Sequence, residues 1–220
     1  MIEGPSRAPT PLEEISASPL VALALLEAMR SADTPIETLE DENVQRSLPR
    51  RFGLSDVVEG QIRRFRELTD RGGTTHAQQL ADLFALVDRR TDAPIVFGRA
   101  GRWLVAHEVT RGKERAGVAR LPIPGAMRRR LALRSARSVA TLVSPGSVVT
   151  TERDPMALSV AGCLPAYACG TSTGCQLITA AFAAALGAFD VEEARDDRDP
   201  VSHPLCESRG DAACIWRVSE

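Results

Sequence analysis

The chain has 220 residues, with 27 basic side chains against 29 acidic ones and a formal net charge of −2. That balance supplies no basic field for nucleic acid, and no apolar run reaches the about 18 residues of a membrane span, so neither partner is expected. Apolar residues make up 44 % and charged residues 25 %, enough to build one sizeable domain or two small ones.

Residues 1–18 are rich in Pro, Ser and Glu and are expected to be a mobile tail. They lack the basic start of a signal peptide, so a cytoplasmic location is expected. Ser18-Pro19 reads as a cap with proline at the first helical position, followed by the stripe Leu20, Leu23, Ala24 and Met29. Pro35 opens a short helix carrying Ile36, Leu39 and Val44, which Pro49 ends. Ser55 caps another, with Val58, Ile62, Phe65 and Leu68 on one face and Gly72-Gly73 at its end. Thr75 caps a fourth, with Leu80, Leu83, Phe84 and Val87 inward. After Asp92 and Pro94, Ile95 to Val105 is expected as helix, with a strand as the alternative. Thr110 to Gly117 is expected as a loop. The region 19–110 therefore reads as helix after helix.

Beyond it the period changes. A long helix is expected from Gly125 to Val143, with Met127, Leu131, Ala132, Val139, Leu142 and Val143 buried. Ser147 to Thr151 and Met156 to Ala161 read as strands around the turn Arg153-Asp154-Pro155. Cys175 to Leu186 is almost wholly apolar and reads as a buried helix. Phe189 to Ala194 is expected as a strand. Val201 to Glu207 and Ala213 to Ser219 are expected to close the chain as a hairpin. The fold class is α+β: a helical N-terminal region, 19–110, packed on a domain of antiparallel sheet and helices, 111–220.

Five cysteines is an odd number, and without an export signal they suit thiol ligands or core positions better than disulfides. Cys206 and Cys214 bracket the turn Gly210-Asp211, so a hairpin can bring both sulfurs to one point. His203 stands three residues before Cys206. That spacing puts the two on opposite faces of an ideal strand, so a bulge or kink at Pro204 is required. Zinc takes four thiolate or imidazole ligands in a tetrahedron. The fourth must come from the upstream segment holding Cys163, Cys169 and Cys175. Cys169 precedes the apolar helix and Cys175 opens it, and a helix N-terminus favours a thiolate at either position.

From about Ile123 to Val218 the chain resembles the 4-vinyl-reductase-type domain. The residues that carry the likeness are Cys206, Gly210-Asp211, Cys214 and Ile215-Trp216, with Cys169, Gly174, Phe182 and Gly187 upstream. The domain occurs in bacteriochlorophyll 4-vinyl-reductase-like proteins and in the sensor regions of aromatic-responsive bacterial transcription activators. Its fold is similar to that of haem–nitric-oxide sensors and trafficking-complex subunits. The resemblance implies a structural zinc held by Cys169, His203, Cys206 and Cys214, with Cys175 the alternative to Cys169. His203 replaces the family's acidic ligand, and the stretch from Gly187 to His203 is longer than usual.

The implied role is a bacterial small-molecule-binding sensory or accessory module. Its ligand is expected to be small and hydrophobic or aromatic, its output to pass to a protein partner, and a homodimer is possible. The alternatives are a tetrapyrrole 4-vinyl-reductase-like enzyme or accessory protein, and a structural adaptor in a complex. No catalytic residue is assigned, and a non-enzymatic role is expected over an enzymatic one. Gly98-Arg-Ala-Gly-Arg102 lacks the strand–turn–helix context of a dinucleotide site, and Gly170-Thr-Ser-Thr-Gly174 lacks the parallel sheet of a nucleophile elbow.

Overall fold

A computed structural model describes residues 11–33, 56–116, 124–191 and 199–219. The architecture is α+β, with helices, one four-stranded antiparallel sheet and one two-stranded sheet. Helix α1 (Pro19–Asp33) starts as its sequence dictates: the Leu20 N–H donates to Ser18 Oγ at 3.3 Å, and Pro19 takes the first turn. Every residue from Pro19 to Leu26 is buried, so α1 runs through the centre of the molecule. Helix α2 (Asp56–Asp70) turns Ile62 and Phe65 inward and ties Arg66 to Glu27 of α1 at 2.6 Å. Helix α3 (Ala77–Asp88) buries Leu80, Phe84 and Val87. Thr75, expected to cap α3, instead bonds the Gln79 side chain, and His76 holds the cap position without a side-chain bond. The helix expected at 35–49 and its Ser55 neighbour lie outside the described residues.

Helix α4 (Ala93–Ala116) bears out the helix expected over Ile95 to Val105 and corrects the loop expected after it. Ile95 to Val105 is helix, not strand. The loop expected over 110–117 is helical to residue 116, because a single glycine at 112 costs only about 1 kcal/mol and no proline follows until 122. Thr110 Oγ1 donates to the Ala106 carbonyl at 2.8 Å, a bond made within helical backbone. The expected boundary near residue 110 thus falls inside one helix, which packs on α1 at one end of the sequence and on the apolar helix at the other. The tail is also corrected. Strand β1 (Ser16–Ala17) pairs antiparallel with β2 (Thr75–His76), and the Ala77 N–H donates to Ile15 O at 2.8 Å, so order begins well before residue 19.

Helix α5 (Gly125–Val143) buries Ala132, Val139 and Val143 as expected, but Met127 is exposed in its first turn and Leu131 and Leu142 are only half-buried, since the buried face is completed by Leu133, Ala136 and Ala140. After it, β3 (Val148–Arg153) and β4 (Met156–Ala161) form a hairpin whose two-residue link, Asp154-Pro155, is cis. Two helices follow, α6 (Leu164–Cys169) and α7 (Gln176–Ala188). The strand expected from Phe189 does not form over 189–191. Instead α7 ends in a left-handed residue, Asp190 (φ 52°). Its N–H bonds Gly187 O at 3.1 Å, and the Val191 N–H bonds Leu186 O at 3.0 Å. Residues 192–194 lie outside the described residues. Strands β5 (Val201–Leu205) and β6 (Cys214–Val218) complete the sheet in the order β3-β4-β6-β5.

One core joins these layers. Leu25 of α1, Phe97 and Leu104 of α4, Val139 of α5, Phe182 of α7 and Trp216 of β6 all belong to it and are fully buried. Helix α7 packs along both α4 and α5. Gly101 makes the closest of these approaches possible, since a Cβ there would collide with the Leu177 carbonyl oxygen. No helix among the described residues is long and apolar enough to cross a membrane.

Candidate metal centre

The centre forms where the closing hairpin meets the start of α7. Cys214 is the first residue of β6, and its pairing with Val160 fixes it at the inner end of the sheet. Cys206 follows β5 directly. Between them a short 3₁₀ turn (Glu207–Arg209) ends at Gly210, whose φ of 91° suits glycine and folds the chain back. Two backbone-directed bonds lock this turn: the Cys206 N–H donates to Asp211 Oδ2 at 2.7 Å, and the Gly210 N–H to Glu207 O at 2.9 Å. The bulge required at Pro204 is present. Pairing of β5 with β6 slips between Ser202 and Leu205, and this carries His203 to the same side as Cys206. The His203 ring lies flat on Trp216, centroids 4.5 Å apart and planes 7° apart.

Donor atoms of Cys175, His203, Cys206 and Cys214 all lie within 4.8 Å of one another, so the group could hold a metal ion. The three sulfurs form a triangle with edges of 3.7 Å (Cys206–Cys214), 3.8 Å (Cys175–Cys206) and 4.0 Å (Cys175–Cys214). A metal bound to sulfur at about 2.3 Å in a tetrahedron gives edges of about 3.8 Å, so the triangle is one face of such a tetrahedron. The fourth corner has a donor too. His203 Nε2 is buried and has no hydrogen-bond partner, an arrangement that costs free energy unless something fills its lone pair or takes its proton.

A second layer of bonds holds the ligands. The Glu207 N–H points at Cys214 Sγ at 3.4 Å, and Ser208 Oγ lies 3.1 Å from Cys206 Sγ. Trp216 Nε1 donates to Thr179 Oγ1 at 2.9 Å, and that hydroxyl bonds the Cys175 carbonyl at 3.2 Å, which links β6 to the first turns of α7. Such outer contacts orient ligands and tune the charge they carry. A metal held by all four residues would have a filled tetrahedral shell.

Of the two upstream ligands weighed from the sequence, the structure brings Cys175 into the group and leaves Cys169 out. Cys169 ends α6, where Gly170 turns the chain left-handed. Its Sγ faces α3, 3.8 Å from Phe84 O, and covers Gly174 so closely that a Cβ there would sit 2.6 Å from the sulfur. Burial pushes its thiol up to about 12, with the Asp88 carboxylate adding to the effect, so it stays protonated at neutral pH.

Cys163, the remaining upstream cysteine, is tied by its backbone to the hairpin turn but does not belong to the group. It sits at the cap position of α6 and is fully buried. The neighbouring Cys175 and Cys214 thiols pull its thiol down to about 5 against the opposing effect of burial, while Cys175 is pushed up. Cys175, Cys206 and Cys214, with their sulfurs 3.7 to 4.0 Å apart, can share little negative charge among themselves without a cation. Glu207 was not singled out from the sequence either. Its carboxylate accepts the Gly162 N–H at Oε1 and the Cys163 N–H at Oε2, both at 2.7 Å, so the hairpin turn grips the start of α6. The available signal was Pro165, which marks a helix start and so puts Cys163 at its cap.

Comparison with family models, curated proteins and solved structures finds no match to this chain.

Proposed function

We propose that this chain is a non-enzymatic module whose closing hairpin is pinned to helix α7 by a structural zinc ion. The convergence of three thiols with the buried, unpartnered Nε2 of His203 carries the proposal, because the sulfur separations suit packed thiols as well as a metal, whereas packing alone leaves that nitrogen unsatisfied. Zinc is favoured over other metals by three soft thiolates and one imidazole in tetrahedral array. The ligands are Cys175, His203, Cys206 and Cys214. The protein purified without chelators is expected to carry close to one equivalent of zinc, and Cys206→Ser to lose it. A wild-type content below about a tenth of an equivalent overturns the proposal.

The wider role proposed is a small-molecule-binding sensory or accessory module that passes its signal to a protein partner. Its support is the motif likeness at Cys206, Gly210-Asp211 and Cys214. Native mass spectrometry of the purified chain reads retained ligand, metal and assembly together. A metal-loaded chain that retains no small molecule, and takes up no hydrophobic or aromatic compound from a panel, sinks the sensory part and leaves the zinc part standing.

A further inference from the structure

We infer that the outward face of the four-stranded sheet docks a second copy of this chain, face to face, about a two-fold axis running along β4. The other face is taken: Leu158 and Trp216 point into the core, where α5 and α7 lie against the sheet. The strand registers set the alternate residues on the outward face in rows. One row reads Glu152, Ala157 and Arg217 across β3, β4 and β6. The next reads Thr150, Ser159 and Ile215. Glu152 and Arg217 are exposed, and neither makes an ion pair among the described residues. The face thus carries an acid on one side, a base on the other, and small residues on the strand between. A two-fold along β4 keeps each row in place and exchanges its ends. Glu152 of one copy then lies over Arg217 of the other, and Arg217 over Glu152, so both charges are matched twice. Thr150 lies over Ile215, an uncharged contact. On the axis Ala157 and Ser159 meet their own copies, and neither is bulky enough to hold two sheets beyond the usual packing distance of about 10 Å. Other axes lose the match. One across the strands sets Glu152 over Val148, and one between β4 and β6 sets Arg217 over Ala157. It is the order of charges along the row that selects a second copy as the occupant. Three strands of about 4.8 Å spacing, with 6 residues in β3 and in β4 at about 3.4 Å rise, make roughly 300 Å² on each copy. That is well under the about 800 Å² per partner of a standard interface, so the dimer is weak and reversible.

The test is the association of the full chain, read by sedimentation velocity and small-angle scattering at constant zinc. At low salt the wild type is expected to pass from monomer to dimer over about 0.01–1 mM protein. Arg217→Glu and Glu152→Arg are each expected to weaken association by about ten-fold or more, because each sets like charges opposite one another at two points. Mixed in equal amounts, the two variants are expected to pair with each other at about wild-type strength. One copy then carries acids at both positions and the other bases at both, so only the mixed dimer has its charges matched. Raising the salt to about 1 M is expected to weaken the wild-type dimer about five-fold, a reading that needs no variant. A wild type still monomeric at about 1 mM overturns the inference, whatever else the face might bind. So does a dimer that either charge reversal leaves unchanged, a mixture that associates no better than the separate variants, or a wild-type dimer indifferent to salt.

Discussion

Cys169 and Cys175 are both thiols near the start of the same apolar helix, and spacing could not separate them. Direction does. Cys169 closes α6 and lies over Gly174 towards α3, whereas Cys175 sits in the turn that launches α7 and meets the hairpin. Cys175→Ser is therefore expected to abolish stoichiometric zinc, and Cys169→Ser to keep it. Atomic absorption on the two purified variants checks this, and the reverse pattern would restore Cys169 as ligand. His203, Cys206 and Cys214 were legible because a strand–turn–strand pattern makes their meeting local. Even the need for a bulge at Pro204 followed from strand geometry. Cys163 and Glu207 were not legible as partners. Their meeting depends on a contact between segments 44 residues apart, which no local period records.

At the scale of elements, the helices announced themselves through 3.6-residue stripes and caps, and the main strands through alternation and turns. Two failures share a cause. Over 110–116 a charged, glycine-containing run looked like a loop, and over 189–191 an apolar–polar run looked like a strand, yet in both the preceding helix continued or closed by its own backbone bonds. Gly98 and Gly101 likewise had no visible purpose in the sequence. In the fold they differ sharply. Gly101 lies against the backbone of α7, while a Cβ on Gly98 would meet only ordinary contacts, the Arg102 guanidinium at 3.5 Å and Ala180 Cβ at 4.0 Å. Gly101→Ala is expected to destabilise by about 1–3 kcal/mol, because the collision with Leu177 outweighs the gain in helix propensity. Gly98→Ala should be neutral or stabilising by up to about 1 kcal/mol. Urea titration of both variants, at constant zinc, measures the contrast, and equal effects would contradict the packing described.

The proposed metal centre adjoins a core shared by the whole molecule. Trp216, one residue beyond Ile215 from Cys214, is fully buried among residues from the helical half. Stripping zinc should therefore lower the melting temperature of the entire chain rather than loosen one hairpin. At free zinc about 1,000-fold above the dissociation constant the linkage is about 4 kcal/mol, equivalent to roughly 8–16 °C for a chain of this size. The shift should shrink as pH falls, since protons compete for the thiolates and the imidazole while the metal-free fold gains nothing from that competition. Differential scanning calorimetry with and without chelator, across pH 5 to 8, reads both effects; a chelator-insensitive transition would refute the coupling. The sheet order β3-β4-β6-β5 has a further consequence, for synthesis. The inner edge of β4 can find its neighbour only when residues 214–218 have left the ribosome, about fifty residues after Ala161. At ordinary translation rates that is a wait of roughly 3–10 s, during which Leu158 and Val160 line an unpaired edge on the nascent chain. That interval is the period in which this protein is most exposed to pairing with the wrong strand.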